Sequence, residues 1–179
     1  MGVFAGCLVD GASFSNQYYV PGALVTLFGS RMGPLEGVGF RLENGVVPTT
    51  LAGTRVLVNG EPTPILYSSY WQVNAILPYS LSLYGQPTIQ VESDKETTNL
   101  FPSTDVNAQP QLVQIFRSDP SSDRPAAALN QDGSINSPQN PAKPGSVVML
   151  FGTGGGATVP PSVAGEVTPL TGLRCWLRM

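Results

Sequence analysis

The chain contains no histidine. That absence excludes Ser-His-Asp and Cys-His catalysis, histidine-containing zinc sites and the usual side-chain base near neutral pH. Cysteine is nearly absent too: Cys7 and Cys175 stand near opposite ends of 179 residues. Two thiols so placed do not make a disulfide framework. Charged residues are 12% of the chain, about half the usual share, and the net charge is −3 with no basic cluster. Nucleic acid and anionic membrane are therefore poor partners. No apolar run approaches the roughly 20 residues that span a bilayer as a helix, so no membrane insertion is expected. Helical periodicity is also missing. No window keeps apolar residues at i, i+3, i+4 and i+7 over three turns, and Gly or Pro interrupts almost every stretch long enough to try.

Turn residues and a repeat fill the space. Glycine (20) and proline (17) punctuate the chain without a collagen-like period. Between them lie short runs rich in β-formers. Residues 3–9, 23–28, 54–59, 64–67, 71–77, 88–92 and 97–106 read as strands of a first unit. Asn59-Gly60 is a strong hairpin turn after 54–59. Residues 30–50 read as a long loop with a short extra hairpin. Residues 111–116, 125–130 and 146–151 read as strands of a second unit, and 152–165 as irregular. The stretch Pro21-Gly22-Ala23-Leu24-Val25-Thr26-Leu27-Phe28-Gly29-Ser30 returns as Pro144-Gly145-Ser146-Val147-Val148-Met149-Leu150-Phe151-Gly152-Thr153, from 21 to 144, 123 residues on. Asp10-Gly11-Ala12-Ser13 is matched by Asp132-Gly133-Ser134-Ile135, from 10 to 132, 122 on. Leu51-Ala52-Gly53-Thr54-Arg55 is matched by Leu170-Thr171-Gly172-Leu173-Arg174, from 51 to 170, 119 on. Ordered matches with small drift imply one module followed by the opening half of another. The expected organisation is residues 1–107 as a complete β-sandwich and 108–179 as a related module cut short. Arrays of one module belong more often to structural or binding proteins than to enzymes.

Local motifs add little chemistry. Gly152-Thr153-Gly154-Gly155-Gly156 is followed by Ala157-Thr158-Val159-Pro160-Pro161, which cannot begin the helix a phosphate loop needs, and no lysine closes it. A flexible loop is the expectation there. Asp119, Asp123 and Asp132 lack the spacing of a calcium loop. Glu36, Glu43, Glu61, Glu92, Glu96 and Glu166 include no distinctive carboxylate pair. No cofactor or metal is implied. The densest aromatic region holds Tyr67, Tyr70 and Trp71, with Tyr79 and Tyr84 beyond it. Aromatic rings on a sandwich face can stack on sugars, so Tyr67, Tyr70 and Trp71 are the candidate glycan contacts. Alternation puts Trp71 on one face with Val73, Ala75 and Leu77, which predicts a core position for Trp71 and an exposed one for Tyr70.

Several motifs together resemble a known family. They are Asp10-Gly11-Ala12-Ser13-Phe14, Pro21-Gly22 through Phe28-Gly29-Ser30, Pro48-Thr49-Thr50-Leu51-Ala52-Gly53, and Val56 through Tyr67. Gln72-Val73-Asn74 with Leu77-Pro78, Asp132-Gly133-Ser134 and Asn140 through Gly145 complete the set. The chain resembles the module repeated near the C-termini of large secreted proteins of soil acidobacteria such as Solibacter. Its first half is also similar to the Ig-like modules called IPT or TIG domains. The resemblance implies a secreted, non-catalytic, all-β, Ig-like tandem, and names no ligand. Residues 173–179 depart from the family pattern, which reads as a truncation or frame shift. A signal for secretion would then lie upstream of Met1. The expected function is a structural or adhesion module outside the cell or on its surface. Its partners would be glycans or neighbouring modules. The unfinished second unit would leave an open strand edge through which chains assemble as homo-oligomers, or filaments, by strand complementation.

Overall fold

Period-two alternation decides where the strands lie. The computed structural model describes residues 2–15, 20–80, 87–94, 96–102, 106–115, 124–167 and the backbone of 175–176. All regular structure among them is β; no helix occurs, hence none long and apolar enough to cross a membrane. The first ten strands are β1 (Phe4–Asp10), β2 (Leu24–Ser30), β3 (Val38–Gly39), β4 (Thr54–Val58), β5 (Glu61–Thr63), β6 (Ile65–Ser68), β7 (Gln72–Ile76), β8 (Thr88–Ser93), β9 (Glu96–Thr97) and β10 (Phe101–Pro102). They form two antiparallel sheets. One has the order β1-β2-β7-β6-β3, the other β10-β8-β4-β5 with β9 beside β8.

The two sheets close over one core. Val25 and Leu27 of β2, Ile65 of β6, and Val73 and Ala75 of β7 are fully buried, as are Val56 of β4 and Ile89 and Val91 of β8. Val20, Met32 and Leu77 extend the cluster. Along β8, Gln90 and Glu92 turn outward between these apolar residues. Each buried aliphatic side chain contributes about 1.5–3 kcal/mol of transfer free energy. At the β4–β5 hairpin, Asn59 and Gly60 both take positive φ, 51° and 86°, the primed turn that matches strand twist. The chain then changes sheets within one residue. β5 belongs to the second sheet and β6 to the first, with buried Pro64 between them. Proline has no N–H to lose at that corner. Its carbonyl accepts from Ile76 N at 2.9 Å, and the Thr63 hydroxyl donates to the Ile76 carbonyl.

The remaining strands are shorter: β11 (Gln111–Leu112), β12 (Ala128–Asn130), β13 (Val148–Leu150), β14 (Gly152–Thr153), β15 (Thr158–Val159) and β16 (Cys175–Trp176). They pair two by two, β11 with β14, β12 with β13 and β15 with β16. Hydrogen bonds tie this part to the first sandwich: Leu24 N to Thr153 Oγ1 at 2.7 Å, Gln114 N to Ala12 O at 3.0 Å and Val47 N to Gly165 O at 2.9 Å.

Two expectations change here. Strand pairing aligns the similar segments differently from the residue match. Leu27 pairs with Leu8 and Val25 with Asp10, while Leu150 pairs with Ala128 and Val148 with Asn130. Asn130, rather than Asp132, thus occupies against Val148 the place Asp10 has against Val25. The connection from Asn130 to Val148 is three residues longer than that from Asp10 to Val25, and the Asp-Gly dipeptide slides with it. The glycine run is not a free loop. Gly152 and Thr153 form β14, and Gly154 and Gly156 are buried with φ of 74° and 80°. A Cβ on either would overlap a carbonyl oxygen of the passing segment, Gln109 or Asn107. The glycines are where residues 107–110 lie directly on the backbone, with Gln109 N bonded to Gly154 O at 2.9 Å.

Candidate functional site

The β6–β7 turn puts the densest aromatic pair at a corner of the first sheet. Ser69 N donates to Gln72 O at 2.8 Å, and Gln72 N donates to Ser69 Oγ at 3.1 Å. This closes a four-residue turn with Tyr70 and Trp71 at its tip. The backbone there is pinned by Gly29 N to Trp71 O at 3.0 Å and Met32 N to Tyr70 O at 3.2 Å. Trp71 is therefore not a core residue: it is 63% exposed. Val73, Ala75 and Leu77 are buried as alternation requires. The strand pleat begins only at Gln72, so the alternation that placed Trp71 inside does not extend to it.

Tyr70 is half-buried and meets Trp71 edge-on, with ring centroids 4.4 Å apart and planes at 64°. This geometry, electropositive edge toward π face, fixes the Trp71 ring without covering it. Tyr67 does not join them. It lies half-buried on β6 with its ring over Gly37, where a Cβ would overlap the phenol. Of Tyr67, Tyr70 and Trp71, the structure brings two together and commits the third to the 31–37 loop at Gly37.

Beside Tyr70 opens a shallow pocket of about 110 Å³ lined by Val3, Arg31, Gly33, Tyr70, Ser93, Asp94 and Glu96. Arg31 and Asp94 are exposed, both with left-handed backbone, φ 62° and 50°. Glu96 Oε2 accepts from Val3 N at 3.2 Å. An ion pair lies elsewhere, Arg55 to Glu92 at 2.6 Å, and Arg31, Asp94 and the second carboxylate oxygen of Glu96 keep hydrogen-bonding capacity for a ligand. Sequence reasoning missed Arg31 and Asp94. They come from the end of β2 and the β8–β9 turn, and only sheet packing makes them neighbours of Tyr70.

The other candidates separate. Asp119, Asp123 and Tyr84 lie outside the described residues. Asp132 is exposed in a turn, where the Ser134 hydroxyl at 2.6 Å and the Ser134 amide at 3.0 Å hold its carboxyl below its ordinary value of 3.8. Among the described residues no three His, Cys, Asp or Glu side chains gather as metal ligands. A pocket of about 370 Å³ is lined by Asn130, Asp132, Asn140, Lys143 and Ser146. Much of its polar lining is bonded internally: Asn130 Nδ2 to Asn140 O at 3.1 Å, Asn140 Nδ2 to Ile135 O at 3.0 Å, Ser146 Oγ to Lys143 O at 2.7 Å. Cys7 is an exposed free thiol on β1. No protein-family model, curated protein or solved structure matches the chain.

Proposed function

We propose that the chain is a non-catalytic adhesion element of an extracellular or cell-surface protein, and that the Trp71 corner binds saccharide. In this reading the two parts are Ig-like modules of one array, and the first sandwich is the rigid carrier of the site. The observation that carries the proposal is the exposed Trp71 ring braced edge-on by Tyr70 beside polar Arg31, Asp94 and Glu96. A pyranose has C–H bonds on one face and hydroxyls around its rim. The first fits an indole face, the second a pocket of carboxylates and a guanidinium. The small pocket suits one sugar unit of a neutral polysaccharide rather than an enclosed small molecule. An exposed, pre-ordered ring loses little conformational entropy on binding.

The test is a glycan array and titration of wild-type protein against Trp71→Ala. Saccharide binding by the wild type, lost in Trp71→Ala with an unchanged circular dichroism spectrum, supports the site. Equal binding by both proteins would move the site elsewhere. An array on which the wild type binds nothing would remove the saccharide reading and leave the spacer role alone.

A further inference from the structure

We infer that β13 is an assembly edge that pairs with β13 of a second copy of this chain, antiparallel about a two-fold axis at Met149. Residues 147–151 are five consecutive apolar side chains, Val147 68%, Val148 41%, Met149 55%, Leu150 54% and Phe151 42% exposed. The similar segment of β2 buries Val25, Thr26 and Leu27 in a closed sandwich, and its far edge is paired with β7, Leu24 to Ile76 through Phe28 to Gln72. β13 is paired with β12 and, among the described residues, has nothing on its other side. Val113 N donates to Phe151 O, on the side where Leu129 pairs with Met149. Backbone groups alternate sides, so Val148 and Leu150 direct theirs to the open edge.

The first sandwich blunts its edges. β5 carries Glu61 and Pro62, β10 carries Pro102, β3 is two residues long, and β1 is broken by a bulge between Ala5 and Cys7. These are the usual devices against edge-to-edge pairing. β13 is short, three residues, but has no proline, charge or bulge, and no charged residue occurs from 144 to 165. That composition selects a copy of the same chain as occupant. Two-fold pairing sets each residue against itself or its mirror position, which like charges would forbid and this segment permits. Centring on Met149 sets Val148 against Leu150, the residues with free backbone groups. It also sets Val147 against Phe151 and Met149 against itself, so every apolar side chain meets another. A shift of one residue along the strand brings Ser146 or Gly152 into the ladder instead.

Two double variants read the register. Val147→Lys with Phe151→Glu places opposite charges across the two-fold at both ends; Val147→Lys with Phe151→Lys places like charges there. The expected result from light scattering over a wide concentration range is a wild-type dimer. The Lys/Glu variant should dimerise at least about tenfold more tightly than the Lys/Lys variant. Amide exchange on the wild type gives a reading that needs no variant: Val148 and Leu150 should gain protection as concentration rises. A wild type that stays monomeric overturns the inference. So does a dimer in which the two variants are equal, or one in which Val148 and Leu150 exchange equally at all concentrations.

Discussion

Replacing Asp10 tests whether a buried carboxylate organises the first hairpin connection. Asp10 closes β1 and is fully buried. Its Oδ1 accepts from Ala12 N at 2.9 Å, Ser13 N at 2.7 Å and Ser13 Oγ at 3.0 Å. Its Oδ2 is buried without a partner. Asp10→Ala removes the acceptor and leaves two buried amides unpaired, each worth about 1–3 kcal/mol. It also removes a charge whose second oxygen is dry and unbonded, which returns part of that loss. The net expectation is a loss of about 2–4 kcal/mol. Asp10→Asn keeps Oδ1 but sets an unpaired NH2 where Oδ2 is dry, so it should cost about 1–2 kcal/mol, less than Asp10→Ala. Asn130 holds the matching place against Val148 with a different bonding pattern: its Oδ1 accepts from Asn136 Nδ2 at 2.8 Å and its Nδ2 donates to Asn140 O. Urea unfolding with a constant m-value measures both. A loss under about 1 kcal/mol for Asp10→Ala would refute the reasoning, because the two amides would then have found other acceptors.

Other consequences follow from single residues. Gly154→Ala should cost more than about 2 kcal/mol in thermal or urea unfolding, since its Cβ would overlap the Gln109 carbonyl at positive φ. Gly145→Ala, also at positive φ but with open space around it, should cost only the backbone term of about 1 kcal/mol. Equal costs would mean that residues 107–110 do not lie on the glycine run in solution. Asp132 titrates below 3.8 because Ser134 bonds its charged form. Those bonds favour the folded turn above that value and are lost as pH falls through the lowered one. Ser134→Ala should therefore raise the Asp132 pKa toward 3.8 in a carboxyl NMR titration, and an unmoved value would assign the shift to another cause.

The sandwich was legible where one face of a strand is dry. Val56 and Val58, Val73 and Ala75, and Ile89 and Val91 alternate with polar or half-buried residues, and all six lie in the core. Asn59-Gly60 was legible because few dipeptides adopt two positive φ angles. Trp71 was misplaced because alternation holds only within a strand, and hydrogen bonds between Ser69 and Gln72 make its position a turn. Arg31 and Asp94 could not be grouped with Tyr70 from the sequence: Arg31 follows β2, distant in the chain though in the same sheet as β6 and β7, and Asp94 comes from the other sheet. Composition makes the glycine run read as a flexible loop because it reports freedom in the unfolded chain. It does not report the close backbone approach that the same lack of a side chain allows. The Asp-Gly dipeptide matches Asp132 to Asp10, whereas strand register, which sets position, points to Asn130.

The two proposed surfaces would reinforce each other without depending on each other. A single exposed indole with a shallow polar pocket binds sugar weakly, because most of the ring of a bound pyranose stays in water. Adhesion to a polymer does not need one tight site. Two weak sites held in one dimer act on a repeating chain with an effective concentration set by their spacing, and avidity then exceeds either affinity. The β13 pairing would supply that linkage: Trp71 lies at the tip of the β6–β7 turn, and β13 lies in the other part of the chain, so assembly leaves the ring unpaired. Separate residues would carry the two proposed functions. Loss of saccharide binding in Trp71→Ala should leave dimerisation intact, and charge at 147 and 151 should leave the affinity for a short oligosaccharide unchanged. One proposal can therefore fail while the other stands.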